Sequence, residues 1–185
     1  MCCVTFTGET TLNIIIYGSH YGTARLYAEE LARRINYDLK SFEEINDIDS
    51  YENIIYIDAL YAGGVLGMKK TFKKLRNTNN KKIIIATVGL SDTTDKGNTT
   101  AIRNGIKKQL SAEIYNNAHI IHLRGGIDYS RLNFTHKTMM KLLYKKAVNL
   151  PEEKKTAEVK AMIETYNKQV NFVNYDSLES IIQYV

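Results

Sequence analysis

The sequence predicts an α/β fold: a five-stranded, doubly wound parallel sheet with a C-terminal helical extension. Short β-branched apolar runs recur along the chain, and amphipathic segments with helical spacing separate them. At 185 residues the chain suits one domain with a full core that needs neither disulfides nor metal. Its composition, 44% hydrophobic and 24% charged, is that of an ordinary globular protein and excludes a disordered chain.

The apolar runs fall at Asn13 to Tyr17, Asn53 to Asp58, Lys82 to Val88 and Ala118 to Leu123, with a weaker one at Tyr37 to Phe42. Near-continuous Ile and Val suit strands covered on both faces, as in parallel sheets. Between the first two strands, Ala24, Ala28, Leu31 and Ile35 fall on one stripe of a helix from Thr23 to Ile35, with Arg25, Glu29, Arg33 and Arg34 outside it. Further helices are expected at Val65 to Leu75, Thr100 to Leu110 and Asn133 to Val148, completing the alternation of a doubly wound sheet. Beyond Pro151, a helix is expected at Glu152 to Lys168. Another is opened by Asp176 with Glu179 three residues on, a capping-box pattern. These two should pack on the sheet as an extension over 151–185, within a single domain spanning 13–185.

The segment 1–12 is polar and irregular and precedes a complete first strand. One expectation is that translation starts naturally at Leu12 from a non-ATG codon, with Gly8-Glu9 a ribosome-binding sequence read as protein. Cys2 and Cys3 are adjacent and lack both redox-pair spacing and companion metal ligands, which suggests a reducing compartment. No apolar run approaches a membrane span, so a cytoplasmic protein is expected. The net charge of +5 and pI near 9.0 come from Lys and Arg interleaved with Glu and Asp, the pattern of a solvated surface and not of a nucleic-acid face.

Ligands of doubly wound sheets bind beyond the carboxyl ends of the strands, where successive connections go to opposite faces. After the first strand comes Tyr17-Gly18-Ser19-His20-Tyr21-Gly22-Thr23-Ala24, leading straight into a helix. Glycine and hydroxyl residues let this backbone curl so that N–H groups and a helix N-terminus converge on one anion, a phosphate nest. Neither the phosphate-loop pattern of NTPases nor GxGxxG is present, which disfavours nucleoside triphosphates and NAD. After the third strand, Leu60 and Tyr61 offer an apolar platform for a planar ring, and beyond Ala62 the pair Gly63 and Gly64 a backbone free to turn. After the fourth, Gly89, Leu90, Ser91 and Asp92 begin a loop longer than a bare turn requires.

Ser19-His20-Tyr21-Gly22-Thr23-Ala24 resembles the phosphate loop of the flavodoxins, (S/T)-x-T-G-x-T, departing at Tyr21 and Ala24. IIIYGSHYGTA, LYAGGVLGMKK and HLRGGIDYSRLNFTHKTMMKLL, from Ile14, Leu60 and His122 respectively, resemble a flavodoxin-domain subgroup. That subgroup includes the menaquinone-dependent protoporphyrinogen oxidases and many proteins of anaerobic firmicutes. The resemblance implies a flavodoxin-like fold and FMN held by Ser19 to Ala24, Leu60 to Gly64 and Gly89 to Asp92, with the last loop closing over the ring and giving N–H groups to its pyrimidine edge. It also implies electron transfer, with a redox protein, a quinone or a small anionic substrate such as a porphyrin as partner. Shuttle flavodoxins are usually acidic, which a pI near 9.0 fits poorly, and the basic segment 133–148 leans toward a membrane quinone or an anionic substrate. A positive field also favours a less negative potential for the second one-electron step. A family member that has lost FMN stays open through Tyr21 and Ala24.

The segment 133–148 is Met-rich and basic, either core-facing with a solvated side or a contact for an anionic membrane or a flexible acidic partner. Arg124, at a predicted strand end, is a candidate for a substrate carboxylate. His20 could add positive charge at the nest. His20, His119, His122 and His136 have no metal spacing. The rival with the same alternation is a receiver domain with Asp58 as phosphoacceptor, which lacks the acidic pair and the lysine such chemistry needs.

Overall fold

The computed structural model describes residues 12–61 and 64–185, with the backbone alone at Tyr61, Ala157 and Glu158. The segment 1–11, with both cysteines and Gly8-Glu9, and the pair Ala62 and Gly63 lie outside the described residues.

Five parallel strands, β1 (Asn13–Gly18), β2 (Asp38–Ser41), β3 (Asn53–Tyr61), β5 (Lys82–Gly89) and β6 (Ala118–Arg124), form the sheet in the order β2-β1-β3-β5-β6. This is the doubly wound order expected of a flavodoxin-like fold. Ile14, Ile15 and Ile16 of β1 are all fully buried, because the strand is paired on both edges and covered on both faces. Alternate residues separate the core in two. Ile15, Ile55, Ile57, Ile84 and Val88 pack against α1 (Thr23–Ile35). Ile14, Ile16, Tyr56, Ile83 and Ile85 pack against α2 (Met68–Phe72), α3 (Lys96–Lys107) and α4 (Ala112–Asn117). The connections thus diverge between β1 and β3.

Strand β3 runs three residues past its predicted end and turns back, pairing antiparallel with β4 (Gly64–Val65). The helix expected at Val65 to Leu75 is thereby cut to five residues, α2. Its start is set by Gly67, whose φ of 70° places it in the left-handed region, with the Phe42 ring packed where a side chain would stand. The expected helix at Thr100 to Leu110 begins earlier, at Lys96, because Asp95 caps it by accepting from Asn98 N–H.

Beyond β6 the chain forms β7 (Gly126–Asp128), α5 (Phe134–Val148), α6 (Ala157–Thr165), β8 (Gln169–Asn171) and α7 (Glu179–Ile182). β7 and β8 pair antiparallel, a two-stranded sheet that local patterning did not announce. The single helix expected at Glu152 to Lys168 is divided: a 3-10 turn covers Glu152–Lys154, and Thr156 then caps α6. Asp176 does not open the last helix. Asn174 caps a 3-10 turn over Tyr175–Leu178, which α7 continues. Of the extension, Leu178 and Ile181 reach the sheet, fully buried beside α1, whereas α6 contacts α5 and α3. No described helix is long and apolar enough to cross a membrane.

Gly67→Ala should lower stability by about 2 kcal/mol, through left-handed strain and displacement of Phe42. The measurement is the denaturant midpoint at unchanged m-value; a midpoint like that of the parent would show that neither constraint is felt.

Candidate functional site

The carboxyl ends of β1, β3, β5 and β6 form one edge. At β1, Gly22 has a φ of 94° and nothing within 4 Å of where a side chain would sit, so the nest opens to solvent. The first intrahelical bond of α1 runs from Leu26 N–H to the Gly22 carbonyl, which places the N–H groups of Thr23, Ala24 and Arg25 ahead of the ladder. No side chain caps this end. Ser19 Oγ accepts from Gly22 N–H at 2.9 Å, holding the curl closed while its own proton remains to be given. Donors converge on an open spot at the positive end of a thirteen-residue helix, an arrangement that binds phosphate.

The departures from the flavodoxin pattern have local reasons. Ala24 is fully buried against the sheet, so this position contributes backbone alone. Tyr21 turns its hydroxyl to Nδ1 of His136 in the first turn of α5, tying the loop to that helix. Thr23 donates its hydroxyl to the Gly126 carbonyl at 3.3 Å and does not replace the hydroxyl missing at Ala24. His20 stands edge-on to His136 at 5.4 Å between ring centres. Burial and the neighbouring His136 lower its pKa below the ordinary histidine value, so the positive charge considered for it is not supplied at neutral pH.

At β3, Leu60 lies over Gly89, whose missing side chain makes room for it, and packs against the core on the α3 side. Tyr61 and Gly64 are strand residues paired across the β3–β4 turn. At Gly64 the chain passes close to Gln109: a side-chain carbon there would lie 2.7 Å from Gln109 Nε2 and displace the amide whose Oε1 accepts from Val65 N–H. The Tyr61 side chain, Ala62 and Gly63 lie outside the described residues.

The loop after β5 is pinned by its carbonyls. Gly89 O accepts from Gly125 N–H, Leu90 O from Arg124 Nη2, and Asp92 O from Asn98 Nδ2. These bonds hold the loop against the end of β6 and the start of α3. Ser91 is buried and accepts from Asn98 Nδ2, while Asp92 is exposed. The Asp92 carboxyl is held below its ordinary pKa by the Thr94 N–H and hydroxyl, with a smaller contribution from Arg124. Arg124 also lies over the Phe172 ring at 4.0 Å, so it serves as a clamp between this loop and the C-terminal strand pair, not as a free carboxylate receptor. Asn98, Gln109 and Phe172 are not singled out by the sequence reading; Asp95, three residues before Asn98, is the local signal that could have found the first.

Beneath this edge runs a polar row set by register: Gly18 opposite Asp58, Asp58 opposite Thr87, Thr87 opposite His122. Asp58 has no exposed surface and lies where a side chain on Gly18 would have to go. Its Oδ1 accepts from Ala59 N–H, and its Oδ2 has no partner. Burial pushes the carboxyl up to about 8, and the bond from Ala59 N–H offsets only part of this. His122 bonds Thr87 Oγ1 at 2.7 Å, and burial with the Arg103 charge pushes it down to about 4. Asp58 is fully buried against Gly18, out of reach of a phosphodonor, so the receiver reading falls. Among the described residues no cluster could hold a metal ion.

A doubly wound parallel sheet with an open backbone nest after its first strand defines a flavodoxin-like α/β protein. The family model described as the flavodoxin domain matches residues 14–170, and the chain belongs to this family. It is similar to a flavoprotein from Lactobacillus acidophilus NCFM solved in complex with FMN, with 14% identity and a TM-score of 0.41, covering 62% of this chain and 92% of that one. It is also similar to a single-site variant of the Fusobacterium nucleatum flavodoxin bound to flavin mononucleotide, with 14% identity and a TM-score of 0.38, covering 66% and 73%. No curated protein matches the sequence.

Because the folded state holds the Asp58 proton up to about pH 8 and the unfolded chain releases it near 3.8, ionisation favours unfolding. The contribution of this residue to stability falls as pH rises through that window and levels off above it. Asp58→Asn should therefore gain thermal midpoint over the parent, increasingly so between those values; a difference independent of pH would place the carboxyl proton elsewhere.

Proposed function

We propose that this chain binds FMN at the β1/β3 switch point and uses it for electron transfer. The observation that carries the reading is the open nest at Gly22, where the N–H groups of Thr23, Ala24 and Arg25 precede the helical ladder and face a site built for one phosphate. Membership of the flavodoxin-domain family supports it. Bound FMN supplies the redox chemistry, one or two electrons at a time.

The chain's own residues bind and tune. The nest takes the phosphate through backbone donors and the Ser19 hydroxyl. Leu60 offers the ring an apolar face, and the Leu90 to Asp92 N–H groups match the acceptors of a pyrimidine edge. Arg124, fixed behind Leu90, brings positive charge to that side and favours electron density there. Asp58 in its neutral form keeps a second negative charge away from the phosphate.

A second reading is favoured by the exposed basic helix α5: a quinone-linked dehydrogenase of an anionic substrate, of the menaquinone-dependent protoporphyrinogen oxidase kind. It uses the same cofactor site and differs only in what reduces and reoxidises the flavin.

A visible-absorbance titration with FMN should give saturable binding with shifted flavin bands, and Gly22→Val should weaken binding by about tenfold or more by forcing the nest out of its left-handed turn. Absence of saturable binding would leave the fold without this function. In a redox titration the second one-electron potential should lie above that typical of acidic flavodoxins; a very low value would remove the role given to the positive field.

A further inference from the structure

Helix α5 is a surface element carrying apolar side chains that the fold does not cover. Phe134 is 85% exposed and Leu142 64%, and only Ala147 of its fifteen residues is buried. The core-facing reading of this stripe is therefore excluded. Phe134, Thr138 and Leu142 form one row at i, i+4 spacing and Thr135, Met139 and Leu143 the next, and these six line a shallow groove of about 550 Å³. The rotation of the helix is fixed from the opposite side. His136 bonds Tyr21, Tyr144 stacks on Tyr166 with ring centres 3.9 Å apart, and Ala147 faces inward.

The charge on this helix has one sign. Between Phe134 and Val148 there are four lysines, Lys137, Lys141, Lys145 and Lys146, and no Asp or Glu. Lys145 and Lys146 fall within the apolar arc, while Lys137 and Lys141 flank it. All four are exposed. Lysine stems extend an apolar face while their amines reach outward to anions, the pattern of a helix lying in a bilayer interface. A second copy of this chain fits poorly, since self-pairing would set the lysines of each copy against those of the other.

We propose that α5 is a docking face for an anionic lipid surface, with Phe134, Leu142 and Leu143 entering the headgroup boundary and the lysines meeting lipid phosphates. The inference rests on this surface and not on the cofactor reading. The two meet at one point: the Tyr21–His136 bond joins the docking helix to the nest loop, so a protein held this way presents its redox site near a membrane-dissolved acceptor.

The test is flotation of the full-length protein with vesicles of phosphatidylcholine, alone or mixed with phosphatidylglycerol, at low and high ionic strength. Expected is flotation with the anionic vesicles only, weakened by salt. Partitioning should fall about fivefold for Lys141→Gln or Lys145→Gln and about tenfold or more for the pair Phe134→Ser and Leu142→Ser. These side chains are exposed, so circular dichroism should show the fold intact in each variant. Equal flotation with neutral vesicles, none with either, or binding unchanged in the Phe134/Leu142 variant overturns the proposal. A dimer lost in that variant, without flotation of the parent, gives the face to a second copy. Retention on polyglutamate without flotation gives it to an acidic protein. FMN titration of the same samples reads the cofactor proposal separately.

Discussion

The pairing of β1 on both of its edges is the constraint on which the ligand edge depends. A strand that is hydrogen-bonded to β2 and β3 and covered on both faces cannot shift without exposing three isoleucines. Its register fixes where Gly18 ends and therefore where the chain leaves the sheet. Because α1 departs to one face and the connections after β3 and β5 to the other, the sheet opens beside the end of β1. The nest is placed by strand pairing before any ligand interaction is considered.

The same register creates a cost. Parallel strands put the side chains at matched positions side by side, and at the carboxyl end this brings Asp58, Thr87 and His122 onto one face. Asp58 Oδ2 and His122 Nε2 are both buried without partners, each a penalty of roughly 1–3 kcal/mol. The burial that imposes the penalty also limits it, because it drives the acid to keep its proton and the imidazole to give up its own. Only glycine at position 18 leaves room for that carboxyl.

How much of this was legible in the sequence varied with the range of the interactions involved. Strands β1, β3, β5 and β6 were legible because double-sided burial writes itself as unbroken Ile and Val, and α1 because its inward stripe is local. The short pairs β3–β4 and β7–β8 were not, since two- or three-residue strands exist only through partners that local patterning does not reveal. Helix α5 left two readings open, since Met139, Leu142 and Leu143 suit a core face and its four lysines a solvated one, and only the absence, among the described residues, of a covering element over Phe134 and Leu142 decides between them. At the site, Ser19, Gly22 and the Gly89 loop were readable from residue type and spacing. The orientation of Tyr21, Thr23 and Arg124 depends on what stands opposite, namely His136, Gly126 and Leu90 with Phe172.

The tyrosine standing where flavodoxins have a threonine exchanges one kind of contribution for another. A hydroxyl that reaches a ligand acts only once the ligand is present. A phenol held by His136 restrains the loop from the moment the chain has folded. A turn restrained in this way leaves less entropy to be lost by Ser19 to Gly22 if an anion is bound there. The loop gives up a free hydroxyl and gains a tether to helix α5.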